Sequence, residues 1–162
     1  MEHLWSPWRM AYIESAQASE EPEVCIFCEK PRAGDDEGAY IVARSDPAFA
    51  MLNAFPYNPG HMMIAPYRHV GDLVELDAGE TSACDVLVQR SVQALREASS
   101  PDGFNIGMNL GRVAGAGIPG HVHWHVIPRW NGDTNFMSIV GETRVLPELL
   151  ADTYAKLKLL FS

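Results

Sequence analysis

The sequence predicts an α+β fold: an antiparallel β-sheet with a long central helix and a C-terminal helix packed on it. Three observations lead there. Short β-prone apolar runs separated by turn residues recur along the chain, one segment of helical periodicity interrupts them, and a second helical pattern closes the sequence. With 162 residues, 47% of them apolar and 20% charged, the chain has the material for one domain with a real core, and its composition is not that of a disordered polymer.

The runs Ala39–Arg44, Phe49–Phe55 and Met62–Tyr67 read as successive strands, the last entered through Asn58-Pro59-Gly60. From Asp77 to Ala98 the period changes. Cys84, Leu87, Val88, Val92 and Leu95 fall at helical spacing, and Asp77 with Glu80 three residues later forms a capping box. Pro101-Asp102-Gly103 ends that helix, Phe104–Leu110 resumes as a strand, and a glycine-rich loop, Gly111–Gly120, leads into a strand at His121–Ile127. Leu146–Phe161, with Pro147 in its first turn, predicts the C-terminal helix. The acidic stretches Glu14–Glu23 and Lys30–Gly38 read as solvated loops.

Composition excludes several classes of function. A formal net charge of −9 repels polyanions, so general nucleic-acid binding is not expected. No apolar run approaches the roughly 18 residues of a membrane span, and Met1–Ser6 carries neither a basic region nor an apolar signal core. A cytoplasmic protein with no membrane partner follows. The three cysteines are an odd count, and the pair in Cys25-Ile26-Phe27-Cys28 suits a metal or redox site in a reducing compartment better than a disulfide framework.

The stretch His121-Val122-His123-Trp124-His125 carries the chemistry. Side chains alternate along a strand, so the histidines project to one face and Val122, Trp124 and Val126 to the other. Imidazoles titrate near neutral pH and can supply a nucleophile, a proton donor and an orienting partner, and imidazole nitrogen attacks phosphorus to give a labile phosphoramidate. Such a nucleophile must be free to bond to phosphorus, and the histidines are expected in the middle of an exposed strand edge. A metal-only role is the alternative, but ligands at alternate positions over five residues span about 13 Å, so at most two share an ion. Ahead of the strand, Asn109 and the loop containing Gly115, Gly117 and Ile118 offer backbone N–H groups to phosphate oxygens, although glycine-rich loops more often serve tight turns.

From His121 to Ile127 the sequence resembles the histidine-triad (HIT) signature, His-φ-His-φ-His-φ-φ with φ apolar, at every position. Asn109 and the glycine loop, Pro128-Arg129, and Asn58-Pro59-Gly60-His61 through His69 match family features in the family's order. The resemblance spans about Cys25 to Arg129 and divides the chain into an N-terminal extension, residues 1–24, and one histidine-triad domain, residues 25–162. It implies a HIT-like fold, a homodimer, and transfer or hydrolysis of nucleotidyl groups on a nucleotide substrate. By the same resemblance His123 is the nucleophile, His125 contacts the bridging or α-phosphate oxygen, His121 supports the site, and Asn53 takes the ribose-binding place that an acid holds in many relatives. Gly117-Ile118 replaces the Gln-Ser or Gln-Thr of many hydrolases and phosphoramidases. Leu4-Trp5-Ser6-Pro7-Trp8-Arg9-Met10, the loop Ala114–Gly120 and the stretch Trp130–Met137 instead resemble a bacterial branch related to diadenosine tetraphosphate phosphorylases. There phosphate would discharge the intermediate, with Asn131, Asp133 and Asn135 shaping its site. Arg129 is a candidate phosphate neighbour, although an isolated Arg after a strand is more often solvated.

A dinucleoside polyphosphate hydrolase, an adenosine phosphoramidase and a non-catalytic nucleotide-binding regulator are the alternatives. Cys25 and Cys28 can reach one ion, and His69 with His121 are the candidates to close a structural zinc site, as relatives with a similar Cys-x-x-Cys do. Otherwise both thiols are reduced core residues. The residues specify no divalent cation for the substrate.

Overall fold

The computed structural model describes residues 24–133 and 148–161. The N-terminal Leu4–Met10 and Glu14–Glu23 stretches, Thr134–Met137 with Asn135, and the Leu146-Pro147 start of the expected last helix lie outside the described residues. Five antiparallel strands form one sheet in the order β1-β2-β3-β5-β4, with β1 at Ile41–Ser45, β2 at Ala48–Leu52, β3 at Met62–Pro66, β4 at Gly103–Met108 and β5 at Trp124–Arg129. The expected α+β class is the observed one. β5 returns between β3 and β4, so the strand carrying the histidines is internal, not an exposed edge as its sequence suggested.

β2 and β3 are buried at every position, which is why they read as continuous apolar runs instead of alternating ones. On one face Val42, Ala50, Leu52, Met62, Ile64, Trp124 and Val126 pack against a long helix and the C-terminal helix through Cys84, Leu87, Leu95 and Leu157. On the other, Ile41, Phe49, Met51, Met63 and Ala65 meet Phe27 and Ala39.

Phe27 belongs to α1, Ile26–Ala33, and Ala39 to the single turn α2, Asp36–Ala39. The expected loop over Lys30–Gly38 is therefore largely helical. Phe27 and Pro31, one turn apart, are the buried residues of α1, which ends at Gly34 in the left-handed region (φ 72°). Two buried residues are too weak a stripe to outvote an acidic, Pro-bearing sequence, and tertiary contacts decide the matter: Arg44 of β1 donates to the Pro31 carbonyl at 2.9 Å and to Asp36 Oδ1 at 2.7 Å.

The long helix α3, Ala78–Ser99, has the predicted capping box, Glu80 N–H donating to Asp77 Oδ1 at 2.8 Å and Asp77 N–H to Glu80 Oε2 at 3.0 Å. Helix α4 covers Leu150–Leu160, shorter at its start than expected. Gly60 makes the turn into β3 with φ 77°, and a Cβ there would stand 2.7 Å from Leu95 Cδ2, so this turn needs glycine. No described helix is long and apolar enough to cross a membrane.

Candidate active site

The histidine strand starts later than its pattern suggests, at Trp124, because His121–His123 approach it along a different neighbour: Val122 N–H donates to the Val70 carbonyl at 2.7 Å. The predicted alternation holds where it matters. Trp124 and Val126 enter the α3 core, while the His123 and His125 rings lie 4.8 Å apart, centroid to centroid, in an edge-on contact. His121 is fully buried and His123 is 5% exposed, far from the open ring that an edge strand would present.

Burial has a chemical use here. It holds both imidazoles below their ordinary pKa, His121 at about 4 and His123 in the same direction, so the rings are neutral at pH 7 with a lone pair each. Backbone carbonyls, which only accept, then fix the tautomers. His123 Nδ1 lies 2.8 Å from the His121 carbonyl and must carry the proton, leaving the lone pair on Nε2. His121 Nε2 lies 2.9 Å from the Pro66 carbonyl, which places its lone pair on Nδ1.

His61, buried just before β3, sets the tautomer of His125. The backbone N–H of Tyr57 donates to His61 Nδ1 at 3.2 Å, so the proton sits on Nε2 and is donated to His125 Nδ1 at 2.9 Å. His125 therefore carries its own proton on Nε2. The His61 ring is stacked on Tyr57 at 4.9 Å. In the sequence His61 falls within the stretch that matches family features and carries no role of its own; the pairing spans 64 residues and has no local signal.

Cys25, Cys28, His69 and His121 converge, with one ligand atom from each lying within 4.8 Å of the others. Cys25 Sγ is 3.3 Å and Cys28 Sγ 3.6 Å from His121 Nδ1, and Cys28 Sγ is 3.4 Å from His69 Nδ1. A tetrahedral zinc with bonds of about 2.0–2.3 Å spaces its ligands about 3.3–3.8 Å apart. Two thiols and two imidazoles at these separations fit a closed metal site, and the Pro66 carbonyl orients the His121 ring from behind. Cys84, fully buried in the α3 core with its thiol pushed up to about 12 by desolvation, is inert.

The candidate nucleotide contacts have varied commitments. Asn53, just after β2, directs Nδ2 to His61 Nδ1 at 3.3 Å while its Oδ1 accepts from Phe55 N–H at 2.9 Å. Asn109 Nδ2 donates to the Gly115 carbonyl at 3.4 Å, bracing the glycine loop. Gly115 N–H is taken by the Arg112 carbonyl at 2.9 Å, Gly117 is half-buried, and Ile118 packs on the cluster that contains Phe27. Arg129 is occupied by Asp133 through two hydrogen bonds and reaches Asn105 Oδ1 at 2.8 Å. Asp133, held well below the usual carboxylate range chiefly by Arg129, braces the turn after β5, also accepting from Asn58, and Asn131 N–H donates to Asp102 at 2.7 Å. A cavity of about 470 Å³ between α3, Trp130 and α4 is lined by none of the histidines.

The HIT domain family matches residues 36–132. Over 158 residues the chain is 41% identical to the AP-4-A phosphorylase of Mycobacterium tuberculosis strain H37Rv, covering 94% of this chain and 80% of that protein. It is 31% identical over 107 residues to an adenosine 5′-monophosphoramidase of Schizosaccharomyces pombe, covering 66% of this chain and 75% of the relative. Among solved structures, a Zn-bound histidine triad family protein from Mycobacterium smegmatis superposes with a TM-score of 0.67 at 25% identity, over 85% of this chain and 92% of that one.

Proposed function

The chain belongs to the histidine-triad (HIT domain) family, and from that premise we propose that it is a nucleotidyltransferase that cleaves dinucleoside polyphosphates by phosphorolysis. The observation that carries this reading is the pair of complementary tautomers: His123 keeps a lone pair on Nε2, and the neighbouring His125 keeps a proton on Nε2. His123 Nε2 attacks the α-phosphorus, and the bond from phosphorus to the bridging oxygen breaks as His125 donates a hydrogen bond to that oxygen. The leaving group departs as a nucleoside polyphosphate anion. The positive charge acquired by the His123 ring is spread toward the His121 carbonyl through Nδ1–H. An oxygen of inorganic phosphate then attacks the same phosphorus, the P–N bond breaks, and a nucleoside diphosphate leaves the regenerated imidazole.

The similarity to the M. tuberculosis phosphorylase supports phosphate as the acceptor, and that to the phosphoramidase supports a second reading in which water takes its place. Asn53, Asn109, Gly115, Gly117 and Ile118 form the nucleotide-facing surround in either case. Cys25, Cys28, His69 and His121 hold zinc as a closed structural ion. The protein is cytoplasmic and acts as a homodimer; the outer edge of β4, where Ile106 is 51% exposed, supports pairing of two sheets.

Diadenosine tetraphosphate should leave a nucleoside monophosphate adduct on His123, mapped by peptide mass after an alkaline quench, and with phosphate present should yield ADP and ATP. His123→Ala should form no adduct and lose at least about a thousandfold in turnover. Undiminished turnover in that variant, or nucleotide binding without any adduct in the wild type, overturns the reading. AMP with ATP in the presence of phosphate selects hydrolysis.

A further inference from the structure

The Cys/His cluster and the nucleophile meet through a side chain that ligates nothing. Cys25 immediately precedes α1 and Cys28 stands in its first turn, so whatever holds the two thiols also places the residues between them. Ile26 faces outward, 36% exposed. Phe27 turns inward and is 1% exposed. Its ring centroid lies 4.6 Å from that of His123, with the planes inclined by 35°, against 5.2 Å for His121 and 6.4 Å for Phe49. The residue carried by the metal clasp thus covers the face of the imidazole that has to bond to phosphorus.

The hydrogen bond to the His121 carbonyl selects which way round the His123 ring sits. It does not fix the plane of the ring, because rotation about the bond to a five-membered aromatic ring has broad wells and an acceptor tolerates a wide range of approach. The Phe27 ring at 4.6 Å, inclined by 35°, and the near-perpendicular His125 ring at 4.8 Å together do fix it. Alignment of the lone pair with the phosphorus is where a small misplacement is expensive in rate.

We propose that Phe27 is a positioning residue for the nucleophile: slung between Cys25 and Cys28, its ring holds the plane of the His123 imidazole and couples that alignment to the Cys/His clasp. This rests on the nucleotidyl-transfer reading above. Leucine or methionine at this position keeps an apolar side chain under the ring but has no flat face to offer it.

The test uses the full-length, zinc-loaded chain as wild type, Phe27→Leu, Phe27→Met and, as a control one residue away, Ile26→Ala. Each is measured for zinc content, for kcat and KM with diadenosine tetraphosphate, and for the imidazole ¹⁵N signals of His123 without substrate. In Phe27→Leu or Phe27→Met zinc should remain at the wild-type ratio and KM within about twofold, while kcat falls about tenfold or more. The sharp signals of a single Nδ1-protonated ring should broaden or shift toward a tautomer average, and Ile26→Ala should match the wild type in every measurement. Wild-type kcat with an unchanged His123 signature in either Phe27 variant overturns the proposal. So does a rise in KM alone, or loss of zinc or of the fold in both variants, which would make Phe27 a substrate contact or a core residue only. A wild-type chain that shows the sharp His123 signals but forms no adduct sinks the transfer reading instead, and the ring signals of the variants still decide the role of Phe27.

Discussion

The backbone N–H of Tyr57, with Asn53 Nδ2 beside it, orders the protons of two imidazoles. By donating to His61 Nδ1 it leaves His61 one way to be neutral, and His61 in turn leaves His125 one way. No pKa has to be tuned for this, because the order of donors and acceptors is enough. Replacing His61 by leucine fills the site with an apolar side chain but frees the tautomer of His125, so kcat should drop about 10- to 100-fold with KM little changed. Steady-state kinetics at saturating phosphate check this, and a kcat within twofold of wild type removes His61 from the relay. Nothing in the residues around His61 announces such a role, whereas the spacing of Cys25 and Cys28 marks a candidate metal pair and the family resemblance supplies His69 and His121 as its partners. Arg129 shows the opposite case: a cation following the histidine strand invited a phosphate, and the folded chain commits it to Asp133.

Helix α3 shows how far an element can be read locally. Its stripe of core residues and its capping box lie within the segment itself, and both appear in the structure at the expected positions. What the segment does not contain is Arg68, whose guanidinium donates to both oxygens of the buried Glu80 at 2.7 and 2.6 Å and ties the turn after β3 to the start of α3. That contact, opposed by desolvation and assisted by the Asp77 amide, holds the Glu80 carboxyl below its ordinary value of 4.5. A carboxyl depressed by folding contributes stability that is fully present above its unfolded pKa and is lost as pH falls through the folded one. Urea midpoints should therefore hold steady above about pH 5.5 and decline through the carboxylate range below it, and in Glu80→Gln the decline should be shallower from a lower plateau. An identical acid slope in the two proteins contradicts this account of Glu80. The helix α1 was missed for the converse reason: its stripe is Phe27 and Pro31 alone, and what orders it, Arg44, comes from β1.

At the scale of the molecule, the sheet order brings His61 to His125, α1 over His123 and the cysteines to His121, contacts separated by 64 to 96 residues in the chain. If the clasp carries zinc and the β4 edges pair, native mass spectrometry should give the mass of two chains with one zinc per chain. Treatment with a strong chelator should remove the metal and lower the melting temperature, and zinc should restore both. A metal-free monomer of unchanged melting temperature contradicts both the zinc site and the dimer. Periodicity, capping residues and side-chain chemistry were enough to establish the α+β class, the shared face of His123 and His125, the long helix and the cysteine pair, because each depends on neighbours a few positions away or on the residue type itself. Tertiary structure alone decided that the histidine strand is internal and His123 nearly buried, and which proton each imidazole carries. Periodicity tells a side chain which face it occupies but not which strand, ring or carbonyl will lie against it.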